Sequence, residues 1–150
     1  MTDGEAGPRR RYARSPGERR HDGARRQREE RRGRFLELVQ RAIDELPPAF
    51  AEAIENVDIV VASRPTRAEL REAGLGPGGV LLGLYQGIPL TRRGSSYNLA
   101  LPDKITLYQD VIERSCASEE ELVHEVRATL LHELAHHFGI DDDRLDELGR

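Results

Sequence analysis

The chain holds one cysteine, one methionine and no tryptophan in 150 residues. With Cys116 alone, no internal disulfide can form, and a soluble cytoplasmic protein is the simplest reading. Aromatic residues make up only 5% and apolar residues 37% of the chain, against 33% charged, yet 150 residues are enough for one domain with a real core. No run approaches the roughly 18 apolar residues of a membrane span. Nor does an apolar stretch follow the basic start, as a secretory signal would need. The expectation is therefore a protein with no membrane association.

The shortage of apolar residues is uneven. Residues 1–34 carry twelve arginines, no lysine and six acids, a net charge of +6. Residues 35–150 carry 11 basic and 21 acidic residues, a net charge of −10. The overall −4 hides a basic arm joined to an acidic domain. The arm's apolar residues are Met1, Tyr12 and a few alanines. They cannot offset the entropy of ordering it, so residues 1–34 are expected to be a disordered arm. Arginine-rich arms can contact nucleic-acid phosphates. Here acids interrupt the arginines repeatedly and Tyr12 is the only aromatic, so a solvated tail is the simpler expectation.

From Phe35 the pattern changes. Phe35, Leu36, Leu38, Val39, Ala42, Ile43 and Leu46 recur at helical spacing, and Pro47-Pro48 stops them. "AFAEAIEN" adds one or two turns. "VDIVVAS" (57–63), "VLLGLYQG" (80–87) and "KITLYQ" (104–109) read as strands. Thr66 with Glu69 is a capping box for a short helix over 66–73. The long stretch between the second and third strands is a loop with room for a short strand, and contains Arg92 and Arg93, which could bind a substrate carboxylate or face water. Ser118, with glutamates at 119–121, starts a helix of about twenty residues that should stop at Gly139. A short final helix follows "DDD". The expected class is α+β: a small mixed sheet of three to four strands flanked by helices.

The long C-terminal helix carries the chemistry, in "HELAHHFGIDDD". His132 and His136 lie four residues apart, so both imidazoles leave one helix face, one turn apart. That spacing lets two histidines grip one zinc ion at about 2.0–2.1 Å. Glu133 sits about 100° round the helix, placed to reach a zinc-bound water rather than the ion. An open catalytic site needs a third protein ligand. Asp142 stands three residues beyond Gly139, where the metzincin pattern has histidine. The only methionine is Met1, so the downstream methionine turn of metzincins is missing. A carboxylate ligand makes the site less electropositive and its water harder to deprotonate. Asp141 and Asp143 are then caps or supporting partners. His137 and His124 read as surface or supporting positions, and Cys116 would close the site if it ligated. Tyr85, Tyr97 and Tyr108 are candidate donors to an oxyanion, though each is more often a core or rim residue.

With these residues in hand, the chain resembles the small zincin-like metallopeptidase family, sometimes described as minimal metalloproteases. "RFLELVQRAIDELPPAF", "NVDIVV", "LLGLYQGIPLTRRGSSY", "LPDKITLYQ" and "HELAHHFGIDDDRLDELG" follow the family's order over residues 35–150. The resemblance implies a zincin-like fold, one zinc ion at His132, His136 and Asp142, Glu133 as the catalytic carboxylate, and a peptide or protein substrate. It leaves open a non-catalytic module with a structural metal, in which zinc ties the final helix to the long one.

Overall fold

The computed structural model describes residues 16–87 and 103–138. The chain divides into two units, Met1–Arg34 and Phe35–Arg150. Of the elements expected from sequence, the stretch around Arg92 and Arg93, Tyr97 and everything from Gly139 on, including the final helix, lie outside the described residues. Among the described residues no helix is long and apolar enough to cross a membrane.

Helix α1 (Pro16–Asp44) begins well before the expected start at Phe35. In the first unit its residues 16–34 are helical, where the sequence reading expected no order. Arginine, glutamate and glutamine lose little side-chain freedom in a helix. Pairs one turn apart, such as Arg25 Nε to Glu29 Oε1 at 3.1 Å, add a little more. Extending a helix already fixed at its far end also avoids the cost of nucleating a new one.

In the second unit the remainder of α1 buries Phe35, Leu38, Val39 and Ala42, the stripe its spacing predicts. Helix α2 (Pro48–Ile54) starts with proline in its first turn, where the missing N–H costs nothing. Strand β1 (Val57–Ala62) follows, then α3 (Arg67–Glu72). The Thr66 side chain accepts the Glu69 N–H while the Glu69 carboxylate accepts the Thr66 N–H, completing the predicted capping box. Strands β2 (Gly83–Gln86) and β3 (Asp103–Tyr108) come next, and α4 (Gln109–Arg114) springs directly from the end of β3. Helix α5 (Glu119–His137) opens at Ser118, whose side chain accepts the Glu121 N–H. The Glu121 carboxylate reaches back to the Ala117 N–H at 2.8 Å, one residue short of a reciprocal box. Arg41 on α1 makes two bonds to Glu120, at 2.7 and 2.8 Å, tying the end of one helix to the start of the other.

The three strands form one mixed sheet in the order β1-β3-β2, parallel between β1 and β3 and antiparallel between β2 and β3. The fold is thus α+β, with a three-strand sheet among the described residues. As the central strand, β3 is buried on both faces. Ile105 and Leu107 join the main core with α1, α2, α4 and the Leu122, Val126, Leu130 and Leu134 stripe of α5. Tyr108, on the alternate face, packs with Leu70, Leu81 and Leu84 in a second cluster beside α3. Its hydroxyl donates to Glu69 Oε2 at 2.7 Å. Burial raises the tyrosine's pKa well above its ordinary value. Burial pushes the Glu69 carboxyl up, but the Thr66 N–H and the Tyr108 hydroxyl outweigh it and leave the group below 4.5.

One glycine sets how closely α5 lies on β2. A Cβ at Gly83 would stand 2.7 Å from Thr129 Cγ2 and 3.2 Å from the Thr106 carbonyl oxygen. Gly83→Ala is expected to cost about 1–3 kcal/mol, the usual range for overpacking a core contact. The readout is the midpoint of thermal unfolding, and an unchanged midpoint would mean that α5 can back away freely.

Candidate active site

Helix α5 delivers the site's side chains as a consequence of its own amphipathicity. Leu130, Leu134 and Ala135 are buried against the core, which turns His132 and His136 outward, both exposed. They share one face, one turn apart, near the helix's C-terminal end. Glu133 lies between these two faces and is half-buried.

The neighbour of Glu133 is strand β2. Its Oε2 accepts the backbone N–H of Tyr85 at 2.9 Å. The register explains why that N–H is available. Tyr108 N–H bonds to the Leu82 carbonyl at 2.9 Å, and Leu84 lies opposite Thr106. In an antiparallel pair, bonded and non-bonded positions alternate. Tyr85, opposite Ile105, falls at a non-bonded position and turns its N–H away from β3. The strand is the sheet's edge among the described residues, so this amide would otherwise lack a strand partner. Among the same residues Glu133 Oε1 accepts no hydrogen bond.

A second group supports the end of α5. The His137 ring stacks on Tyr85, centroids 4.1 Å apart and 16° from parallel. The Tyr85 hydroxyl donates to Asp103 Oδ2 at 2.7 Å, and the same oxygen lies 3.7 Å from His137 Nε2. Gly87 closes the group: a Cβ there would meet His137 Cε1 at 3.5 Å and Asp103 Oδ1 at 3.6 Å. Tyr85, Asp103 and His137 therefore fasten the helix turn that carries His136 to the ends of β2 and β3.

This arrangement revises the weight given to several sequence candidates. The Tyr85 hydroxyl is directed to Asp103 and that of Tyr108 to Glu69. What Tyr85 brings to Glu133 is its backbone amide. Asp103 was not singled out from sequence. Its signal is its place at the first residue of β3, diagonal to Tyr85 across the strand pair. His124 is exposed and borders a hollow of about 390 Å³ with Cys116, Glu120 and Glu125. That hollow lies two turns before His132, roughly 12 Å along the helix. Burial pushes the Cys116 thiol up, which keeps it a thiol rather than a thiolate. Cys116 and His124 thus stand apart from the His132–His136 pair.

The donors present fit zinc, since imidazole nitrogens with a carboxylate form an ordinary donor set for that ion. Among the described residues no group of three or more His, Cys, Asp or Glu side chains is gathered to hold a metal. Asp142, expected as third ligand, lies outside those residues, as do Asp141 and Asp143.

The model of one protein family, described as zincin-like metallopeptidase, matches residues 54–150. The match begins beyond α1 and most of α2 and takes in the whole sheet and α5. No curated protein matches the chain.

Proposed function

Because the chain belongs to the zincin-like metallopeptidase family, we propose that it is a zinc-dependent peptidase, with His132, His136 and Asp142 holding the metal and Glu133 acting as the general base. The observation that carries this reading is the setting of Glu133. It stands one residue from His132 on the exposed end of α5, with one carboxylate oxygen held by the Tyr85 amide and the other accepting no hydrogen bond among the described residues. A carboxylate held by a main-chain amide keeps its direction and its negative charge, with no ion pair among the described residues.

Zinc bound there would polarise the scissile carbonyl and make the attacking water more acidic. The chain's own residues do the rest. Glu133 takes the proton of the attacking water and passes it to the leaving amine. Tyr85 N–H orients Glu133, while Asp103 and the Tyr85–His137 stack hold the last turn of α5 in place.

The test is a mixed peptide pool incubated with the full chain and followed by mass spectrometry. Cleavage should appear with one equivalent of zinc, cease on chelation and return when zinc is restored. A pool left intact under all three conditions would remove the peptidase reading.

A further inference from the structure

We propose that Asp103 is a positioning residue for the zinc site. Through the hydroxyl and ring of Tyr85 it holds the turn of α5 that carries His136, and so sets the affinity for the metal. The inference rests on the reading of His132 and His136 as zinc ligands.

The two histidines are not held alike. His132 lies within α5, between Leu130 and Leu134, both fully buried. His136 lies in the helix's last turn, and helix ends fray first. Its side chain is exposed and makes no hydrogen bond, ion pair or ring contact among the described residues. A ligand so placed loses freedom when it takes a metal, and that loss weakens binding unless the turn is fixed beforehand.

What fixes the turn comes from the sheet. The Tyr85 ring lies against the imidazole of His137, centroids 4.1 Å apart and 16° from parallel. A stacked ring alone can swing about its own side-chain bonds. The bond from the Tyr85 hydroxyl to Asp103 Oδ2, at 2.7 Å, removes that freedom at the far end of the ring. Asp103 itself stands on the central strand, in register with Val57 of β1. The same carboxylate oxygen is 3.7 Å from His137 Nε2, too far for a hydrogen bond. The acid therefore reaches the helix through the tyrosine rather than by its own contact. Glu133 is held separately, by the Tyr85 main-chain N–H. One residue thus serves both halves of the site by different groups, main chain for the base and side chain for the ligand.

The experiment measures the zinc dissociation constant of the untagged full chain by competition with a chromophoric chelator. Wild type is compared with Tyr85→Phe, Asp103→Leu, the double variant and Asp103→Asn. Tyr85→Phe keeps the ring and removes only the hydroxyl. Asparagine keeps an oxygen that can accept from that hydroxyl and removes the charge, which separates positioning from simple attraction between Asp103 and the ion. Thr66→Ala, which loses the cap of α3, controls for destabilisation as such. Tyr85→Phe and Asp103→Leu should each weaken zinc binding about tenfold, the lower end of what loss of an outer partner costs. The double variant should lose no more than either, because both remove the same bond. Asp103→Asn should stay within about threefold of wild type, since a neutral acceptor only weakens the bond. Thr66→Ala should melt earlier with unchanged zinc affinity. Wild-type affinity in Tyr85→Phe, additive losses in the double variant, a loss in Asp103→Asn as large as in Asp103→Leu, or an equal loss in Thr66→Ala would each overturn the proposal and leave the zinc reading standing. A wild-type chain that takes up no zinc would overturn both.

Discussion

Glu133→Gln is expected to lower kcat/KM on any cleaved peptide by about 10²–10⁴-fold, the usual contribution of a positioned general base. Bound zinc should stay at its wild-type content. Glutamine matches glutamate in size, and its amide oxygen can still accept the Tyr85 N–H that now meets Oε2 at 2.9 Å. Geometry is therefore kept and only the capacity to take a proton is lost. Metal content should not follow, because Glu133 leaves the helix about 100° away from His132 and is not among the expected ligands. The two readouts, peptide turnover and elemental zinc, must separate. Equal activity in variant and wild type would sink the mechanism.

The second large effect is on the metal itself. Untagged wild-type chain is expected to carry about one zinc ion, measured by elemental mass spectrometry. Asp142→Ala and His136→Ala should each weaken binding by more than the roughly 10–100-fold that follows loss of an outer hydrogen-bond partner. A control at His124, exposed and two turns from His132, should retain full zinc. Chelation adds a second discrimination. If the metal is structural, its removal takes folding energy with it and helix content falls. If it is catalytic, the core packed by Leu122, Val126, Leu130 and Leu134 keeps α5 folded and only turnover is lost. A wild-type chain that takes up no zinc would end the enzyme reading.

What could be read from the sequence is what is local. The shared face of His132 and His136 follows from helical spacing, and the caps at Thr66 and Ser118 are decided within three residues. The three strands announce themselves by short β-branched or apolar runs. The tether of Glu133 was not legible, because it depends on the β2–β3 register and on how α5 crosses the sheet. Those contacts span 48 residues of chain. Asp103 was missed for the same reason, since its partner Tyr85 lies across a strand pair. Helix α4 went unread because it follows β3 with no capping side chain, and no glycine or proline separates the two. The helix over residues 16–34 was not legible because it carries no apolar stripe. A helix of arginine, glutamate and glutamine can form without one when it continues a packed helix.

The tether of Glu133 has one more consequence, for how its surroundings can change over time. A carboxylate held by a neighbouring side chain depends on which residue occupies the neighbouring position. Here the donor is a main-chain amide, which every amino acid except proline supplies. The direction of the Glu133 carboxylate is therefore inherited with the strand, for every residue but proline at position 85. Substitution there is restrained by the main core against which Tyr85 packs, by the ring of His137 and by the carboxylate of Asp103. A change at position 85 therefore acts on the packing of the last turn of α5 and leaves the main-chain donor to Glu133 in place.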